Sequence, residues 1–109
     1  MNKKNTVLIV DDIPINIQLV AQHLKPLGYK MLFATSGDNA LSILYQNPVD
    51  LILLDVMMPL MNGYETCRKI RSRSEWADIP VIFLTARNEA MDIVKGFEAG
   101  GSDYITKPF

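Results

Sequence analysis

Cysteine is almost absent from this chain. Cys67 stands alone in 109 residues, which excludes an internal disulfide and a thiolate metal cage and fits a reducing compartment. Charge of one sign is also lacking: eleven Lys and Arg face twelve Asp and Glu, for a net charge of −1. That balance removes any general electrostatic reason to bind nucleic acid or an anionic membrane. Long apolar runs are missing too. The stretches Leu51–Leu54 and Val56–Leu60 fall far short of the ~20 residues that span a bilayer. Met1–Asn5 is basic, but Thr6–Val10 is too short for a signal-peptide core. No Gly-x-x-x-x-Gly-Lys motif, repeat, linker or low-complexity segment occurs, so a P-loop nucleotide binder is excluded. What is present is 49% hydrophobic and 21% charged residues, the balance of one folded domain, expected to be soluble and cytoplasmic.

Apolar segments of two kinds alternate. Thr6–Val10, Leu51–Leu54 and Val81–Leu84 are short and nearly continuous, which predicts strands buried on both faces of a parallel sheet. Lys30–Ala34 and Asp103–Thr106 are more mixed and suit strands nearer the edges. Between them, Ile17, Val20, Leu24 and Leu27 recur at helical steps, with Pro14 in the first turn and Pro26-Gly28 as the end. Ser36 can cap a second helix carrying Ala40, Leu41 and Leu44, which stops before Asn47-Pro48. A third helix is predicted from about Asn62 to Ser72, with Cys67 and Ile70 inward. A fourth is predicted from about Asn88 to Ala99, with Ile93 and Phe97 inward and Gly100-Gly101 as its stop. Strand–helix alternation implies right-handed crossovers and a parallel sheet between helices. The last strand is followed only by Lys107-Pro108-Phe109, so one sheet face would be covered by the first helix alone. A further helix is therefore expected in the parent protein. The exposed apolar patch would invite dimerisation or element exchange.

In open α/β sheets, ligands bind beyond the carboxyl ends of the strands. Asp11-Asp12 follows the first strand, Asp55 the third, Thr85-Ala86 the fourth and Lys107-Pro108 the fifth. Asp12 can equally be an N-cap for the first helix. Asp55 has no helix start beside it. Clustered carboxylates repel unless a hard cation neutralises them, and Mg²⁺ suits a shallow site of two or three carboxylates with room for waters and a phosphate. Lys107 and Thr85 would serve phosphoryl oxygens, and a carboxylate beside Mg²⁺ can be a nucleophile. The set fits phosphoryl transfer.

With these motifs the sequence resembles the receiver domain of two-component response regulators, of the chemotaxis-Y-like type. The matching residues are Val7–Asp12, Asp55–Pro59 with Asn62-Gly63, Thr85-Ala86, Gly96 to Gly100 and Tyr104–Phe109. The resemblance spans essentially all of residues 1–109 and implies a flavodoxin-like α/β fold: a doubly wound, five-stranded parallel sheet in the order 2-1-3-4-5, with helices on both faces. It implies that Asp55 accepts a phosphoryl group from a phosphohistidine on a histidine kinase or histidine phosphotransfer protein. Asp11 and Asp12 would bind Mg²⁺, directly or through water, together with Asp55 and the carbonyl of Met57; Mn²⁺ would be an alternative ion. Lys107 would pair with Asp55 and then with the phosphoryl group. Thr85 would move to bond it, and Tyr104 would swing into the vacated space. The Lys107–Pro108 bond would be cis, and the side chains of Met57 and Arg87 would set the phosphoryl lifetime. The surface around the fourth helix and fifth strand would switch an output domain or partner. The opening Asp12-Ile13-Pro14-Ile15-Asn16 resembles receivers joined to hybrid kinases or cyclic-dinucleotide enzymes. Such a domain catalyses its own phosphorylation and dephosphorylation without being a conventional enzyme.

Rival readings fare worse. An aspartyl phosphatase would want a second Asp where Met57 stands, and a flavodoxin-like cofactor binder would want a Ser/Thr/Gly loop where Asp11–Pro14 stands. A receiver-shaped module that is never phosphorylated would lack an acidic residue or the Lys. His23, the single histidine, is expected at a partly exposed helix position and argues against a self-contained histidine kinase. Arg68, Lys69, Arg71 and Arg73 read first as cations favoured at a helix C-terminus, and second as a docking patch. Met57, Met58 and Met61 read as apolar filler or as a partner surface. Cys67 reads as a buried small hydrophobe, and Trp76 as a loop residue.

Overall fold

The computed structural model describes residues 5–85 and 100–106, with the backbone alone at 85 and 103–106. Five strands, β1 (Thr6–Val10), β2 (Lys30–Ala34), β3 (Leu51–Asp55), β4 (Val81–Thr85) and β5 (Asp103–Thr106), form one parallel sheet in the order β2-β1-β3-β4-β5. The nearly continuous apolar runs are the three central strands and the mixed ones are the edges, as expected of a sheet covered on both faces. The predicted fourth helix lies outside the described residues.

Helices α1 (Pro14–Leu24), α2 (Gly37–Gln46) and α3 (Gly63–Arg71) form where the sequence patterns place them. The Ser36 hydroxyl accepts the Asn39 N–H at 3.0 Å and caps α2. Asn62 and Glu65 close a reciprocal capping box on α3, each side chain accepting the other's N–H. Alternate strand residues feed two cores. Leu8, Val10, Ile52, Leu54 and Phe83 pack under α2 and α3, while Val7, Ile9, Leu53 and Leu84 pack with Ile17 and Val20 of α1. Cys67 is fully buried in the first core, and burial pushes its thiol pKa up against the lowering pull of Arg71 and Arg68.

Two expectations need correction. Leu27 does not continue the inner stripe of α1. Residues Lys25–Leu27 tighten into a 3₁₀ turn, which changes the angular step, and Leu27 ends 65% exposed. Trp76 is not a loop bystander. It sits in a 3₁₀ turn (Ser74–Trp76), is buried, and meets the Tyr45 ring edge-on at 4.9 Å.

The basic residues at the end of α3 divide by role. Arg71 turns inward: its Nε donates to the Gly100 carbonyl at 2.9 Å, and one terminal nitrogen donates to the carbonyls of Ile79 (2.7 Å) and Trp76 (3.3 Å). Arg73 lies over the Tyr45 and Trp76 rings and pairs with Glu75 at 3.0 Å. One guanidinium thus joins α3 to the segments that lead into β4 and β5. Arg71→Met should lower the unfolding free energy by about 2 kcal/mol, because it strands carbonyls that the fork satisfied. Arg71→Lys should recover less than half of that, since the three donors of an ammonium radiate from one nitrogen and cannot reproduce the reach of two separated guanidinium nitrogens. Urea midpoints of the three proteins decide it.

Candidate functional site

The site is a product of sheet register. β1 pairs with β3 through Val10↔Leu54, so the next residues, Asp11 and Asp55, stand level at the carboxyl edge. This is also where the chain order reverses, between β1 and β3, and the crossovers diverge to leave a crevice. Asp12 follows at the mouth. One carboxylate oxygen from each of Asp11, Asp12 and Asp55 falls within 4.8 Å of the others.

Burial makes this cluster unusual. Asp11 is 1% exposed and Asp55 4%, and carboxylates so buried need cationic or hydrogen-bonding partners. At an effective dielectric constant of about 20, each such pair of negative charges repels by roughly 3 kcal/mol. Asp11 Oδ1 accepts the Ile13 N–H at 3.0 Å, tying the turn after β1. Asp12 does not cap α1: the N-cap is Ile13, without a side-chain cap. Instead Asp12 Oδ1 is a buried oxygen with no hydrogen-bond partner among the described residues. An orphaned carboxylate oxygen beside two buried carboxylates fits a divalent cation. Oxygens around one Mg²⁺ lie about 3–4 Å apart, which small side-chain movements within this cluster reach.

The loop after β3 leaves Asp55 and returns to it. The Gly63 N–H donates to the Val56 carbonyl at 2.9 Å, closing the loop at the start of α3. A Cβ on Gly63 would strike the Asp55 carbonyl and come within 2.9 Å of Val56 Cα, so only glycine lets α3 begin there. The sequence shows Gly63 only as part of a motif; its contact with Asp55 needs the fold. Within the loop Met58 is buried, Met61 is half-buried, and Met57 is 74% exposed, so the three methionines serve different ends. Leu60 adopts φ 68°, a left-handed conformation that costs an L-residue about 1–2 kcal/mol.

The other expected site residues fall at the same edge or beyond the described part. Thr85 ends β4 and pairs with Thr106 of β5, while Tyr104 pairs with Phe83. Their side chains, together with Arg87, Lys107 and Pro108, lie outside the described residues. His23 is exposed in the last turn of α1.

Residues 7–109 match the response regulator receiver domain family. A probable cyclic di-GMP phosphodiesterase of Vibrio cholerae serotype O1 is 48% identical over 94% of this chain, which spans 23% of that protein. The transcriptional regulatory protein YvrH of Bacillus subtilis is 45% identical over 95% of this chain, which spans 43% of it. The chain therefore spans less than half the length of these relatives. The chemotaxis protein CheY4 of Vibrio cholerae superposes with a TM-score of 0.94 at 31% identity, covering 98% of this chain and 89% of that one. The receiver domain of the sensor histidine kinase PA1611 of Pseudomonas aeruginosa PAO1, solved with magnesium in its active-site cleft, gives a TM-score of 0.88 at 32% identity over 98% of this chain and 88% of that one.

Gly63→Ala should destabilise the fold by about 1–3 kcal/mol, the range for a group forced into a packed site. The measurement is the urea midpoint, and an unchanged value would mean that α3 slides freely away from Asp55.

Proposed function

The chain belongs to the response regulator receiver family, whose members are phosphoacceptors of two-component systems, and from that premise we propose that Asp55 is its phosphoacceptor. The observation that carries this reading is the buried cluster of Asp11, Asp12 and Asp55 at the switch point of the sheet. Receivers take phosphoryl groups from histidine kinases, and a phosphotransfer protein with a phosphohistidine is an equivalent donor. In the transfer, an Asp55 oxygen bonds to phosphorus as the P–N bond to the donor imidazole breaks. The imidazole keeps that electron pair and departs neutral, protonated at its other nitrogen.

Asp11, Asp12, Asp55 and the Met57 carbonyl are the groups that would hold Mg²⁺, or Mn²⁺ in its place. When bound, the ion would neutralise the phosphoryl oxygens and offset the carboxylate repulsion. Asp11 is held by the Ile13 N–H, so its carboxylate is pre-oriented before any ligand arrives. Asp55 is recessed at the end of a central strand, which shields the acyl phosphate from bulk water. Lys107 is the cation for the acceptor and then for the phosphoryl group, Thr85 donates its hydroxyl to a phosphoryl oxygen, and Tyr104 follows inward. Met57 and Arg87 tune how long the group survives, and the surface around the predicted fourth helix and β5 relays the change.

Residues 1–109 are read as one receiver domain, acting in the cytoplasm; no helix among the described residues is long and apolar enough to cross a membrane. The Asp12–Asn16 opening and the likeness to a probable cyclic di-GMP phosphodiesterase support a cyclic-dinucleotide output domain. The likeness to YvrH supports a transcriptional output as the second reading.

Incubation with Mg²⁺ and acetyl phosphate should add one phosphoryl group, seen by mass spectrometry and absent in Asp55→Asn. No adduct with Mg²⁺ present would sink the phosphoacceptor reading. Asp12→Asn separates the metal from the acceptor. At a hundredfold excess over its dissociation constant, Mg²⁺ should stabilise the wild type by about 2.7 kcal/mol. The variant should gain less than half of that in thermal melts, and in EDTA it should be at least as stable as wild type because one repelling charge is gone. An equal Mg²⁺ gain in both proteins would remove Asp12 from the metal site.

A further inference from the structure

We propose that the cavity between the end of α2 and the α3–β4 connection is a second binding site, for a small organic ammonium ion with an apolar body. The cavity measures about 430 Å³, within the range of small-molecule sites of roughly 300–1,000 Å³. Its lining includes Leu44, Tyr45, Val49, Trp76 and Ile79, and one charged residue, Glu75. α2 ends just before β3 begins, and the α3–β4 connection ends where β4 begins, so the cavity lies at the amino edge of the sheet. Asp55 stands at the opposite edge, and the site is independent of its phosphoacceptor reading. The walls are built. Leu44, Val49 and Trp76 are buried, the Ile79 N–H donates to the Trp76 carbonyl at 3.2 Å, and Arg71 holds the Trp76 and Ile79 carbonyls at 3.3 and 2.7 Å.

Three independent features give the cavity one sign of charge. The first is the end of α2. The Asn47 N–H and side-chain amide both return to the Ile43 carbonyl, at 3.0 and 3.1 Å, while Pro48 has no N–H to offer the Leu44 carbonyl. No described backbone N–H reaches the carbonyls of Leu44, Tyr45 or Gln46, and the last turn of α2 carries no basic side chain. The negative end of this helix is therefore uncompensated from within the chain. The second is Glu75, which accepts from Arg73 through one carboxylate oxygen at 3.0 Å, and a carboxylate can accept more than one donor. The third is the pair of rings, Tyr45 and Trp76, edge-on at 4.9 Å. Their affinity for a cation is visible in the Arg73 guanidinium, 4.7 and 5.1 Å from their centroids, although Arg73 does not itself line the cavity. Helix carbonyls, a carboxylate and aromatic rings together favour a cation, and the aliphatic walls favour one with an apolar body.

The test titrates the 109-residue chain with three probes of one shape: phenethylamine, the neutral phenethyl alcohol and the anionic 3-phenylpropionate. Trp76 is the single tryptophan, so its indole N–H gives one resonance in a nitrogen–proton correlation spectrum that reports directly from the wall. Phenethylamine should shift that resonance and the amides of residues 44–49 with a Kd of about 1 mM or below. The alcohol should bind about tenfold more weakly and the anion more weakly still, the combined effect of the helix end and the rings. Glu75→Gln and Tyr45→Leu alter exposed side chains, so both should melt close to wild type. Each should weaken the amine by about threefold, and Glu75→Gln should leave the alcohol unchanged. Equal binding of the three probes overturns the proposal, because the cavity would then be an apolar groove without charge preference. No saturable shift up to about tenfold above the expected Kd, or shifts centred away from Trp76 and residues 44–49, also overturn it. An amine affinity unchanged in both variants does the same. Tighter binding of Nα-acetyl-lysinamide than of phenethylamine would assign the site to a lysine of a partner protein, again overturning it.

Discussion

Three carboxylates held within 4.8 Å of one another, two of them nearly inaccessible, are the constraint around which this molecule is organised. Left to themselves, such groups would move apart or draw in water. The parallel pairing of β1 and β3 prevents that, because each strand is locked on both edges by hydrogen bonds and on both faces by aliphatic packing. The apolar runs Val7–Val10 and Ile52–Leu54 are thus more than core. They are the rigid stems that hold Asp11 and Asp55 level against their repulsion. A site under that electrostatic load is biased toward binding a cation and toward responding when its charge changes, which suits a phosphorylation switch.

The short loop between β3 and α3 extends this constraint outward. Its first residues are buried with Val56 and Met58, and its end is pinned by Gly63 against the Asp55 carbonyl. Movement at Asp55 would therefore be felt at the start of α3 without passing through a flexible linker. The same loop exposes Met57 and Leu60, so the segment that is tightest against the acceptor also presents the most accessible large apolar side chains among the described residues. At the opposite end of α3, Arg71 binds carbonyls from the α3–β4 connection and from Gly100, just before β5. α3 is in this way tied to the acceptor at one end and to the approach of the last strand at the other.

The sequence by itself determined a good deal, and the reason is that the signals concerned are local or periodic. Continuous apolar runs separate central strands from edges, Ser36 and Asn62 announce helix starts, and the acidic residues that directly follow β1 and end β3 must emerge at one rim once the sheet is parallel. The family resemblance rests on the same residues. Only the tertiary structure decided what depends on pairs distant in the chain. It made Asp12 an unpaired oxygen in the cluster rather than a helix cap, turned Leu27 outward through a 3₁₀ turn, and buried Trp76 against Tyr45. It also divided one basic run into an inward clamp at Arg71 and an aromatic stack at Arg73, and set Gly63 against the Asp55 backbone. Apart from the local 3₁₀ turn at Leu27, these outcomes depend on how separate segments are placed, and no composition or spacing within a single segment encodes which neighbour will be there.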